Sequence, residues 1–124
     1  MSIAGGLPRA VDRAQASRCE ALQIFTKSAG QWRARELPGD EVALFRRRVE
    51  ETGIHPVVAH NSYLINVAAA VPALRGQSIA ALGEELDRAE LLGLDALIMP
   101  KSGITWARRM RSPVEPASRT CSCT

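Results

Sequence analysis

Apolar residues recur at helical spacing in three stretches and form short continuous runs in others. Leu7, Val11 and Ala14 lie three or four apart, and Pro8 suits the first turn of a helix over residues 7–17. Val42, Phe45, Val49 and Thr52 repeat that spacing, with Asp40 placed to cap the start of this helix and Gly53 its end. A third helix is predicted over residues 77–92, with Ile79, Leu82, Leu86 and Ala89 as its apolar stripe. Glu84, Glu85, Asp87, Arg88 and Glu90 fall largely off that stripe, and Gly93 stops the helix. The Ala/Val-rich stretch around Pro72 reads as a loop with a short helical turn.

The strands are shorter. Residues 21–26 alternate weakly and hold Ile24 and Phe25. Val57, Val58 and Ala59 run on from Pro56 and end abruptly in His60, and Ala96 to Met99 form another apolar run. Residues 1–6 close in Gly5-Gly6, the turn after one more strand, and residues 27–38 read as loop. Strands alternating with helices predict an α/β chain with a parallel sheet. A histidine that ends a buried strand and opens a loop sits where such folds place their chemistry.

Three blocks carry a resemblance. His60-Asn61-Ser62-Tyr63-Leu64-Ile65-Asn66 resembles the His-x-Ser-Tyr-Leu-Ile-Asn signature of the deoxyribonuclease IV family of zinc-dependent apurinic endonucleases. Ser2-Ile3-Ala4-Gly5-Gly6-Leu7 resembles the end of that family's first strand and its Gly-Gly turn. Leu22 to Lys27, followed by Gln31-Trp32-Arg33, resembles its second strand and loop. The likeness extends from Ser2 to about Ile98. It implies the N-terminal part of a (β/α)8 TIM barrel, about three to four βα units of a truncated barrel whose usual length is roughly 250 residues. A parallel edge left open in such a unit is expected to favour aggregation or association between copies. The family's first strand closes in Gly-x-His-x-Ser, and Met1 falls near that His, which implies a misassigned start or a shortened strand.

The resemblance implies cleavage of the DNA backbone on the 5′ side of abasic sites, in base-excision repair, with three zinc ions. Phosphodiester hydrolysis uses a metal-bound hydroxide and metals that neutralise the phosphate's developing charge. His60 matches the family's first His ligand, whereas His55 stands at the opposite end of the same strand. The remaining ligands have no counterpart before the last residue, so the chain alone is expected to hold no stable cluster and to be inactive. Tyr63 and Leu64 match the residues that the family inserts into DNA, where an aromatic and an aliphatic wedge fill the gap left by a flipped nucleotide. Read without the resemblance, both could equally pack beneath their loop, and His60 would cap its strand through a backbone hydrogen bond. Gln31 and Trp32 match the family's Gln-Trp loop, but Ser28-Ala29-Gly30 replaces the usual Asn-Gln-Arg.

Composition narrows the alternatives. The 124 residues make room for one ordinary domain. No apolar run nears the roughly 20 residues of a membrane span, and no secretory leader opens the chain, so a cytoplasmic protein is expected. Residues 1–99 hold 11 Lys and Arg against 12 Asp and Glu, so the net charge of +3 comes from the last 25 residues. Arg46-Arg47-Arg48 reads as a solvated helix face beside Glu50 and Glu51. Cys19 reads as a small buried hydrophobe, and Cys121 and Cys123 lack the spacing of a zinc site.

Residues 100–124 depart from the pattern. They hold three Pro, four Ser and five basic residues without periodicity, and predict an irregular basic tail separate from a unit at residues 1–99. Where the family carries His-Pro-Gly and a further His, this chain has Met99-Pro100-Lys101-Ser102-Gly103. Gly103 to Trp106 can be encoded GGC-ATC-ACC-TGG, which read from the third base gives His-His-Leu. A shifted reading frame and a genuine variant tail both account for this. Two other functional readings stand beside the nuclease. One is a non-catalytic DNA-binding or interaction remnant using the Tyr63-Leu64 loop and the tail. The other is a sugar isomerase-like metal-dependent barrel, against which the Ser62 to Asn66 run counts.

Overall fold

The computed structural model describes residues 1–99, together with the backbone of residues 104–107 and 120–121. Its elements in order are α1 (Leu7–Ala16), β1 (Ala21–Ile24), α2 (Gly39–Thr52), β2 (Val57–His60), α3 (Pro72–Leu92), β3 (Ala96–Met99), β4 (Ile104–Ala107) and β5 (Thr120–Cys121). The sheet order is β4-β3-β2-β1-β5. β1, β2 and β3 run parallel in register, Leu22 beside Val57 and Ala59 beside Leu97. β5 lies parallel to β1, and β4 antiparallel to β3. Both of these outer strands come from the stretch expected to be irregular. The rest of that tail lies outside the described residues.

The predicted βα alternation is present, and its physical basis is the two faces of the parallel strands. Leu22, Ile24, Val57, Ala59 and Leu97 are buried against Leu7, Val11, Phe45 and Leu92 of the helices, a single apolar cluster. Gln23, Val58, His60, Ala96 and Ile98 occupy the alternate positions and are half-buried. Successive side chains of a strand point to opposite faces, so His60 belongs to the face turned away from the helices. Cys19 is buried as expected, and its sulfur is in a disulfide.

Several boundaries differ from the sequence expectation. Residues 1–6 form a turn rather than a strand, with Gly5 and Gly6 at φ 85° and 107°, a region open to glycine and strained for other residues. β1 ends at Ile24, two residues early. α2 begins at Gly39 with Pro38 as its cap, so Asp40 falls inside the first turn, where its charge suits the helix dipole. α3 begins at Pro72, because proline at the first helical position sets φ for the turn that follows. Gly53 and Gly93 close α2 and α3 in the left-handed conformation, as expected.

The largest correction concerns the face of α3. Ile79 and Leu86, predicted to be buried, are 56% and 37% exposed. The buried positions are Ser78, Ala81, Glu85, Ala89 and Leu92. Two of them are polar, and each accepts a backbone N–H from the segment after β2. Ser78 Oγ takes Asn66 N at 3.0 Å, and Glu85 takes Ser62 N. The inner face of this helix therefore combines two hydrogen-bonded polar side chains with the apolar Ala81, Ala89 and Leu92.

Phe45 is fully buried at the centre of the apolar cluster. Phe45→Ala is expected to lower stability by about 3–5 kcal/mol, read as a reduced urea midpoint with an unchanged slope.

Candidate functional site

Because β1 and β2 are parallel, the loops that follow them leave the sheet at the same end, the C-terminal end of the strands. All five residues singled out in the sequence lie there. His60 is the last residue of β2. Its ring stands 5.2 Å from that of Phe25 and 5.8 Å from that of Tyr63, and those two are 5.4 Å apart. The tilted and edge-on geometries are those aromatic quadrupoles favour. Tyr63 is 54% exposed, so its ring leans on this cluster with one side open to solvent. Leu64 and Trp32 are half-buried and Gln31 is exposed.

His60 Nδ1 lies 2.7 Å from the Asn61 carbonyl oxygen. A carbonyl only accepts, so Nδ1 carries the hydrogen and Nε2 becomes the acceptor of the neutral ring. This is how a ligating histidine is oriented, its second nitrogen held by a backbone oxygen. His60 therefore fits one position in a metal shell. Among the described residues, however, no three His, Cys, Asp or Glu side chains converge. They do not fit a three-zinc cluster.

Beneath these side chains lies a polar network that the sequence reading missed. Ser62 N donates to both carboxylate oxygens of Glu85, at 3.0 and 3.2 Å. Glu85 and Lys27 form an ion pair at 3.8 Å with side chains 1% and 4% exposed. Lys27 Nζ also donates to the Trp32 carbonyl at 2.8 Å. Ala29 O accepts from Ser62 Oγ at 2.7 Å and from Tyr63 N at 3.2 Å. Leu64 N donates to Ser62 Oγ at 3.3 Å. The loop of residues 27–32 and the loop that begins at Asn61 thus share one buried carboxylate, one buried ammonium and one carbonyl.

A second set of contacts holds the following stretch. Arg35 pairs with Glu41 at 2.7 Å, and the same carboxylate oxygen accepts Leu7 N at 3.0 Å, serving the start of α1 in place of a local cap. Arg88 donates to the carbonyls of Thr26 and Arg35. Its buried Nε has no hydrogen-bond partner among the described residues. Thr26, Lys27, Ser28, Gln31, Arg33 and Arg88 line a cleft of about 320 Å³ beside the Gly5-Gly6 turn.

The titration behaviour follows from these surroundings. Burial pushes the Glu85 carboxyl up, against the Ser62 N–H and the charges of Lys27 and Arg88, which pull it down. The Arg35 hydrogen bond holds Glu41 below the usual carboxylate range and holds the Arg35 guanidinium up. Burial, then the nearby charge of Arg35, pulls Arg88 down.

Glu85 was hidden in the sequence by its type, since an ionisable residue on an amphipathic helix reads as solvated. Its spacing was visible. It stands four residues after Ala81 and four before Ala89, in line with buried small residues. Lys27 followed a strand and read as loop.

Parallel strands joined by helices, with the polar apparatus at the strands' C-terminal ends, define an α/β unit of barrel type. The chain belongs to the xylose isomerase-like TIM barrel family, which it matches over residues 11–118. It is 42% identical over 99 residues to a probable endonuclease 4 of Trichlorobacter lovleyi, a match covering 80% of this chain and 35% of that protein. A probable endonuclease 4 of Chloroflexus aurantiacus is 43% identical over 98 residues, covering 79% of this chain and 34% of that one. Endonuclease IV of Thermus thermophilus superposes with a TM-score of 0.75 at 42% identity, over 78% of this chain and 36% of that one. The deoxyribonuclease IV resemblance and the barrel fold are both borne out. The chain spans about a third of the length of the curated relatives it matches.

Removing Glu85 strands the Lys27 ammonium and the Ser62 N–H. Glu85→Ala is expected to cost about 3–5 kcal/mol in denaturant unfolding. The raised carboxyl of Glu85 has a definite sign. The unfolded chain loses this proton near pH ~4.3 and the folded chain later. Its contribution is therefore complete below that value and declines as pH rises through the folded pKa. Urea midpoints measured from pH 4 to 8 should show this decline in the wild type and lack it in Glu85→Gln.

Proposed function

We propose that this chain supplies the N-terminal, DNA-facing part of a zinc-dependent endonuclease that hydrolyses the phosphodiester 5′ to abasic sites in base-excision repair. The observation that carries the reading is that the loops bearing Gln31-Trp32 and Tyr63-Leu64 leave the same end of the sheet, are hydrogen-bonded to each other through Ala29 O, and stand beside the Nε2-accepting His60. Tyr63 offers an exposed aromatic edge, and Leu64 an aliphatic one, for the gap that an abasic nucleotide leaves in the stack. Gln31 and Trp32 lie on the neighbouring loop, which follows β1. A bound zinc would supply Lewis acidity and an activated water. His60 is the residue here that would hold it, by Nε2.

The unit of residues 1–99 carries this role, and the basic tail adds sequence-independent attraction to DNA. Catalysis requires ligands beyond those described, so the chain acts as a binding segment without turnover of its own. Its compartment is the cytoplasm, where the chromosome of a bacterial relative is reached. Among the described residues, no helix is long and apolar enough to cross a membrane. Self-association through an open sheet edge belongs to the same reading, at the part of β1 that β5 leaves unpaired beyond Ala21 and Leu22.

The test is incubation with a duplex carrying a single abasic-site analogue, alongside its intact counterpart, with zinc and with chelator. Binding is expected to favour the abasic duplex, to weaken several-fold in Tyr63→Ala, and to persist in chelator without strand cleavage. Cleavage lost in chelator and restored by zinc would overturn the inactive-segment reading. Equal affinity for both duplexes would overturn the abasic-site reading and favour a non-specific binding remnant.

A further inference from the structure

We propose that Lys27 and Glu85 are positioning residues that lock the Gln31/Trp32 loop and the Tyr63/Leu64 loop into one rigid DNA-facing surface. The inference rests on the reading of those loops as DNA-facing, and it names the device that sets their mutual geometry.

The two loops lie more than 25 positions apart in the chain and belong to different strands. Each member of the buried pair anchors one loop: Glu85 reaches the second from α3, and Lys27, at the start of the first, holds that loop's far end. Glu85 takes Ser62 N with both oxygens, one residue before Tyr63. Lys27 gives a hydrogen to the carbonyl of Trp32 itself. The ion pair joins these two anchors in a site closed to water. Ala29 O closes the circuit by accepting from Ser62 Oγ and Tyr63 N together. Moving one loop away from the other breaks the bonds to Ala29 O or opens the buried ion pair.

The design has a consequence for recognition. A wedge that enters a base stack works only if the flanking contacts stay in place while it enters. Coupled loops present the aromatic, the aliphatic and the Gln-Trp elements at fixed spacing before DNA arrives, so less ordering is needed on binding. Loops that moved independently would still bind duplex through general charge attraction, but would distinguish a gap in the stack poorly.

The experiment uses the full chain carrying Trp106→Phe, so that Trp32 is the sole indole. Acrylamide quenching of Trp32 reports the first loop, and amide exchange at Tyr63 and Leu64 reports the second. Three variants are compared with this background: Lys27→Met, Glu85→Gln and the milder Ser62→Ala, which removes the hydroxyl link while leaving the ion pair. Each should loosen both loops at once. Quenching of Trp32 should rise at least twofold and exchange at Tyr63 and Leu64 at least tenfold, while amides of α1 and α2 keep their wild-type rates. The ratio of affinities for abasic over intact duplex should fall towards one, with intact-duplex affinity retained. A role confined to fold stability would instead speed exchange throughout the chain and weaken both duplexes alike, and that result overturns the proposal. So does a Lys27→Met chain in which Tyr63 exchange is unchanged, or a Glu85→Gln chain in which Trp32 quenching is unchanged. Should the background protein itself fail to prefer abasic duplex, the functional reading falls while the loop measurements still decide the coupling.

Discussion

A single buried carboxylate organises the upper edge of this sheet. Glu85 sits on the inner side of α3 at 1% exposure, beside Lys27 and under the backbone of Ser62. Burying a charge is costly unless it is paired and hydrogen-bonded, and both conditions are met here. The orientation of α3, the path of the chain after β2 and the path after β1 all satisfy this one group. Exposed Ile79 and Leu86 are the counterpart, since a helix turned to bring Glu85 inward turns those side chains outward.

The strands set the second constraint. Alternation along β2 sends Val57 and Ala59 into the helical core and leaves Val58 and His60 on the other face. In a parallel sheet both faces are ordinarily covered. The half-burial of Gln23, Val58, His60, Ala96 and Ile98 fits strands whose second face looks into a barrel interior. His60, at the strand end on that face, is where the family fold concentrates polar chemistry, and its Nδ1 contact with Asn61 already selects the tautomer that a ligand needs.

Much of this was legible in the residues. Short Val- and Leu-rich runs between periodic segments gave the βα order, and Gly53 and Gly93 marked helix ends through a left-handed conformation that glycine adopts more easily than other residues. The run from His60 to Asn66, with Gln31-Trp32, brought the family and the candidate site together. What stayed hidden was set by tertiary hydrogen bonding. Pro72 is equally at home in a loop and at a helix start, and only the packing of α3 decides between them. Glu85 and Lys27 look like solvated charges until the fold places them 3.8 Å apart. The capping of α1 by Glu41 joins residues 34 positions apart, beyond the reach of any local pattern.

The claim that these elements form a surface for damaged DNA can be put to one direct measurement. A duplex carrying 2-aminopurine opposite an abasic-site analogue is titrated with the chain, and the emission of the probe base is followed. If Tyr63 and Leu64 insert, the probe base leaves its stack, so emission should rise to saturation with the wild type and stay flat with a Tyr63→Ala/Leu64→Ala chain that binds the same duplex. No rise with the wild type, or an equal rise with the double variant, would contradict the account.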